Sequence, residues 1–151
     1  SRTSAILLAD LRHLVADLGR DGGLISPSIY DTARAAYLAP SPAGAQPVLE
    51  WLLARQQPDG GWGNGAVPRA RDLPTLAAVL ALHRHTQCQA MRDAVRAGLA
   101  FLRRQASQWI GPLGADLPVG VELLLPRLLE DAAQAGLPLS PTPYAGLLEL
   151  G

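Results

Sequence analysis

The feature that most narrows how this chain can fold is its punctuation. Apolar residues recur three or four positions apart, and glycine or proline interrupts every such run before it can become long. Leu7, Leu11, Leu14 and Leu18 form one stripe, and Asp21-Gly22-Gly23 breaks it. Ser28 with Asp31 predicts a capping box opening a helix that carries Ile29, Ala33, Ala36 and Tyr37. Pro40, Pro42, Gly44 and Pro47 predict a loop, and Val48 to Gln57 the next helix. Asp59 to Arg71 reads as a glycine-rich excursion. Asp72 is expected to cap a helix with Pro74 in its first turn and Leu73, Leu76, Val79, Leu80 and His83 along one face. Met91, Val95, Leu99 and Leu102 mark another helix. Leu124, Leu125, Leu128, Leu129 and Ala132 mark a further one, ended by Gly136 and Pro138. No run alternates with period two. Short helices joined by tight turns predict an all-α domain of α/α-barrel type.

Composition bounds the function. A chain of 151 residues that is 48% hydrophobic can bury one sizeable core, so one domain or one domain plus an arm is expected. Thirteen basic residues, all Arg, balance thirteen acidic ones, which leaves no net field to hold nucleic acid. Asp10, Arg12, His13 and Asp17 interrupt the first apolar stretch, Ile6 to Leu18. It is therefore neither a membrane span nor a signal-peptide core. The single Cys88 cannot form an internal disulfide and fits a cytoplasmic setting. The start at Ser1 and the absence of a terminating signal after Pro143 suggest a piece of something longer.

The most informative segment runs from Trp51 through Arg55, Gln56, Gln57, Pro58, Asp59, Gly60, Gly61 and Trp62. A helix should end near Gln57, with glycine supplying positive φ for a sharp reversal. Trp62 then folds back as a flat plug, and the Gln56 amide is available to backbone groups at neighbouring helix ends. A staple is the expected role of Gln56, Asp59, Gly60 and Trp62. The competing role is an indole face lining a cavity and facing a cation. Asp31 reads as a helix-terminus carboxylate. Arg71 and Asp72 divide between a domain interface facing a ligand and a plain helix start with a solvated Arg. Glu122 lies in an apolar run and should meet an Arg or helix-end amides. Glu130 and Asp131 read as a solvated edge. His83, His85 and Cys88 do not make a metal site, because residues two apart on a helix diverge by roughly 200 degrees.

The Gln56-to-Trp62 spacing resembles the QW motif of squalene-hopene, oxidosqualene and diterpene cyclases. Three further segments follow the family's order. Ser28-Ile29-Tyr30-Asp31-Thr32-Ala33 resembles the S-x-Y-D-T-A signature of class II diterpene cyclases. Thr75 to Leu82 resembles their T-L-A-x-V-x-A-L helix. Pro118-Val119-Gly120-Val121-Glu122, with Pro126 and Leu128-Leu129-Glu130, resembles their P-x-G-F-E…P-x-L-L-E segment. Arg34, Ala70 and Val121 depart from the pattern, where Trp, an acidic residue and Phe are usual.

The resemblance implies the γ-type helical domain of a copalyl diphosphate synthase-like enzyme, covering 21–151. Residues 1–20 would form a helix belonging to the β domain that follows. The parent would convert geranylgeranyl diphosphate to a copalyl-type bicyclic diphosphate, with Mg2+ expected for the whole enzyme. Plant-type members carry an acidic cluster before P-x-G-F-E. Here that stretch holds Asp116 alone, too few carboxylates for magnesium. The Asp-x-Asp-Asp acid that starts the family's reaction occurs nowhere in these 151 residues. No catalytic residue is expected in this chain, and the partners implied are a β domain and a prenyl diphosphate at the β/γ interface. A non-catalytic helical scaffold module and a squalene-hopene-type fragment are the alternatives.

Overall fold

The computed structural model describes residues 28–63, 69–109 and 121–148, without the side chain of Glu122. The stripe Ile6 to Leu18, Asp116 and the boundary near residue 20 lie outside these residues. The described residues are helical and contain no strand: α1 (Ile29–Leu38), α2 (Pro42–Arg55), α3 (Asp72–Arg84), α4 (Gln89–Gln105), the 3-10 turn Ala106–Trp109, α5 (Val121–Gln134), the 3-10 turn Thr142–Tyr144, and α6 (Ala145–Leu148). This is the all-α, α/α-barrel-type architecture that the punctuation predicts.

The helix α3 is central and packs against α1, α2, α4 and α5. Its burial is nearly all round: Leu73 and every residue from Thr75 to Leu82 are inside. An element buried on all sides must be surrounded, so the single face read from Leu73, Leu76, Val79 and Leu80 understates its burial. His83, expected on the apolar face, is exposed at its C-terminal turn. The neighbouring α4 is the opposite kind of helix. Met91, Ala94, Val95, Leu99 and Leu102 are buried, while Arg92, Arg96 and Arg103 are exposed.

Two local expectations are corrected. The proline-rich stretch is not a loop: α2 begins at Pro42, with Ser41 as N-cap, its hydroxyl accepting from the Gly44 amide at 3.4 Å. A first-turn proline lacks only an N–H that would be unpaired there anyway. Pro47 lies inside the helix, past the first turn, and cannot supply the amide that the Ala43 carbonyl would otherwise accept. Asp72 is not a cap either. Arg71 occupies the N-cap position without a side-chain bond, and Asp72 is the first helical residue. By contrast, Ser28 caps α1 as expected. Its hydroxyl accepts from the Asp31 amide (3.0 Å) and lies 2.6 Å from the Asp31 carboxylate. The C-terminus of α5 closes as a Schellman turn at Gly136, φ +75°, with the Leu137 amide donating to Ala132 (3.0 Å).

Candidate functional site

The Gln-Asp-Gly-Trp turn joins α2 to α3 and pins α4. Gly60 holds φ +93° and lies so close to α4 that a Cβ there would stand 2.3 Å from the Ala97 carbonyl oxygen. Only glycine fits both constraints. Gln56 donates its amide to the Gly60 carbonyl and to the Ala94 carbonyl of α4, each at 2.9 Å. Trp62 is fully buried; its indole N–H donates to the Leu52 carbonyl at 2.7 Å, and its backbone N–H donates to the Thr75 hydroxyl at 2.9 Å. The indole therefore packs inside the core of this chain, as a staple between α2, α3 and α4.

Asp59 and Arg71 lock the outer side of the same turn. The guanidinium bridges both carboxylate oxygens at 2.6 and 2.8 Å, and its carbon lies 4.7 Å above the Phe101 ring. The Gly61 amide donates to the carboxylate at 3.0 Å, and Arg104 donates to the Asp59 carbonyl. The Arg71 bond holds the Asp59 carboxyl down at about 2, with the Gly61 amide adding to the effect. Arg71 is thus neither solvated nor idle. It ties the turn to the first residue of α3 and to α4.

Asp72 points the other way and is fully buried. Its neighbours are the Trp109 indole, the Gln105 amide, Arg69 and Arg71. Trp109 packs on Tyr144 with ring centres 5.6 Å apart, and the Arg69 guanidinium carbon lies 5.5 Å from the centre of the Trp109 ring. Desolvation pushes the Asp72 carboxyl up to about 7. The indole N–H and the Gln105 amide favour its ionised form, yet neither closes a well-formed hydrogen bond to either oxygen. Burial, with the carboxylate nearby, also pushes the Tyr144 phenol well above its ordinary value. This is the one strongly perturbed carboxyl that is fully buried among the described residues, and such groups mark candidate sites.

The remaining sequence candidates are scattered. Tyr30 is half-buried on α1, and burial raises its phenol. Thr32 is fully buried with an unpaired hydroxyl, and Asp31 is exposed at the helix start. Glu122 lies in the first turn of α5. Asp131, expected at a solvated edge, is instead buried and ion-paired to Arg34 at 3.1 Å, with Arg34 also stacked 4.8 Å from the Tyr37 ring. The departure from the family at Arg34 is thereby matched within this chain. Trp109, Gln105 and Tyr144 lie outside every motif of the sequence. Only Gln105 carries any sequence signal, since Phe101-Leu102 to Gln105 resembles Trp51-Leu52 to Gln56. His85 is buried with Nε2 2.8 Å from the Ala36 carbonyl, while His83 is exposed. Among the described residues no three His, Cys, Asp or Glu side chains converge on a point that would hold a metal ion, and no helix is long and apolar enough to cross a membrane.

No protein-family model matches the chain. Curated relatives do. The chain is 52% identical over 129 residues to the (+)-kolavenyl diphosphate synthase of Herpetosiphon aurantiacus, a match covering 84% of this chain and 25% of that protein. It is 40% identical over 136 residues to the ent-copalyl diphosphate synthase of Streptomyces sp. strain KO-3988, covering 86% and 25%. Among solved structures, abietadiene synthase from Abies grandis superposes with a TM-score of 0.70 at 26% identity, covering 99% of this chain and 20% of that one. The ent-copalyl diphosphate synthase of Arabidopsis thaliana shares the fold with a TM-score of 0.68. The chain thus spans about a quarter of the length of these curated relatives. With its four motifs in order and its fold superposed on theirs, the chain belongs to the class II diterpene cyclases, as a helical segment of that family.

Proposed function

We propose that the enzyme carrying this chain cyclises geranylgeranyl diphosphate to a copalyl-type bicyclic diphosphate, and that this chain is its γ-type domain. The observation that carries the reading is the 52% identity to a kolavenyl diphosphate synthase. The reaction begins with protonation of an alkene, passes through carbocations and ends with loss of a proton, with the diphosphate retained. No Asp-x-Asp-Asp acid lies in these 151 residues. The chain's contribution is shape: the outer side of its turn at Asp59 and Arg71 helps form one wall against a β domain, keeping water from the cations. Magnesium, which the resemblance implies for the whole enzyme, enters no step assigned to this chain. The lone exposed Cys88 supports a cytoplasmic setting.

The test is incubation of the full native polypeptide with geranylgeranyl diphosphate, followed by dephosphorylation and mass-spectrometric identification of the alcohol. A bicyclic alcohol is expected. Unchanged geranylgeraniol, or turnover of squalene instead, overturns the reading.

A further inference from the structure

On the face away from Asp72, a half-open groove of about 350 Å³ lies between the C-terminal turn of α3, the outer side of α4 and the turn after α5. Asp72 and His83 stand at opposite ends of α3, roughly 16 Å apart by helical rise, so the groove is separate from the Asp72 cluster. Its floor is apolar: Val95 and Leu99 of α4 and Leu137 after the Schellman turn. Its rim is cationic: Arg92, Arg96 and Arg103 line it, and no carboxylate of the described residues does.

Among the described residues, none of these arginines is ion-paired to a carboxylate. Arg103 donates to the Pro138 carbonyl at 3.0 Å, and Arg92 contacts the neutral Gln89 amide oxygen at 3.3 Å. Arg92 and Arg96 are both exposed and stand one helical turn apart on the same side, close enough to grip one anionic group together. Leu99 follows one turn further on, beside Leu137, which places an apolar bed next to the cationic pair. A cationic lip over an apolar floor selects a ligand that is anionic at one end and apolar at the other. The volume is near the lower end of small-molecule sites, roughly 300–1,000 Å³, which suits a head group and the first part of a chain.

We propose that this groove is a second binding site, taking a phosphorylated amphiphile: a prenyl diphosphate held through its diphosphate by Arg92 and Arg96, with the start of its chain on Leu99 and Leu137. The ligand class follows from the groove. Its identification as a prenyl diphosphate rests on the proposed function.

The experiment is calorimetric titration of the full native polypeptide with geranylgeranyl diphosphate, beside an Arg92→Gln/Arg96→Gln variant. Both positions are exposed, so folding is expected to be unchanged, and circular dichroism checks it. The native protein is expected to bind two molecules and the variant one, with cyclisation at low substrate unaltered. The groove's affinity is expected to fall at least about tenfold in each single variant. Inorganic diphosphate should compete at this site, and raised salt should weaken it. The proposal is overturned if the variant keeps the native stoichiometry, if geranylgeraniol binds the groove as well as its diphosphate, or if only vesicles of anionic lipid bind. It is also overturned if the native polypeptide shows no site sensitive to these arginines, as when another segment of the chain covers the groove. Loss of one binding event without any cyclisation would sustain the groove and sink the proposed function instead.

Discussion

Two buried tryptophans flank the N-terminal end of α3, and their polar surroundings differ. Around Trp62 the polar groups are matched except for the Arg71 Nε: the indole N–H reaches Leu52, the backbone N–H reaches Thr75, Gln56 reaches two carbonyls, and Asp59 takes both arms of Arg71. Around Trp109 the indole nitrogen and both Asp72 oxygens are buried without a well-formed hydrogen bond. A satisfied network fixes one geometry, whereas an unsatisfied buried carboxyl responds by holding its proton. The first region is built to be rigid. The second can change charge state near neutral pH.

The contrast can be broken in several ways, beginning with the largest effect. Trp62→Ala should lower stability by ~3–5 kcal/mol in urea denaturation, since it empties a fully buried site and unpairs the Leu52 carbonyl. Trp109→Ala should cost visibly less, because no well-formed hydrogen bond is lost with it. Equal costs would erase the distinction between the two plugs.

Asp72→Asn should act with the opposite sign. The carboxyl sits at about 7 when folded against 3.8 as its ordinary value, so the native state holds the extra proton between these limits. Stability due to this group is therefore full below about pH 4 and is lost as pH rises toward 7. The variant should match the parent near pH 4 and exceed it by ~2–4 kcal/mol at pH 8. Parallel stability curves for the two proteins would show that Asp72 is not the titrating group.

Gly60→Ala should destabilise by ~1–3 kcal/mol, because the added Cβ meets the Ala97 carbonyl at a backbone angle that L residues rarely adopt. The smallest effect belongs to Asp59→Asn, at ~1 kcal/mol near pH 7, since the pair is partly exposed and screened. Here the folded carboxyl lies at about 2, below 3.8, so its contribution is present above pH 4 and disappears as pH falls through 2. Thermal melts at pH 7 and pH 2 distinguish this from a pH-independent packing loss.

Much of the staple was legible in the chain because its constraints are local. A glycine at a forced positive φ, a Gln four residues before it and a Trp two after it occupy one turn, so spacing alone predicts their geometry. The α1 cap was legible for the same reason, with Ser28 and Asp31 within one helical turn. The α2 start was misread because proline in a first turn and proline in a loop look alike until the cap at Ser41 is seen. The Asp131 edge was misread because its partner, Arg34, is nearly a hundred residues away in sequence.

What the sequence by itself determined is the set of short helices, the motif order that identifies the family, and the turn that staples α2 to α4. Each depends on residues a few positions apart. Only the tertiary structure decided that Asp72 is a buried, proton-holding group and not a cap, that Asp131 is paired, and that three outward arginines of α4 ring an apolar groove. Those properties are set by desolvation and by charges brought together from distant segments, and neither quantity exists until the helices pack.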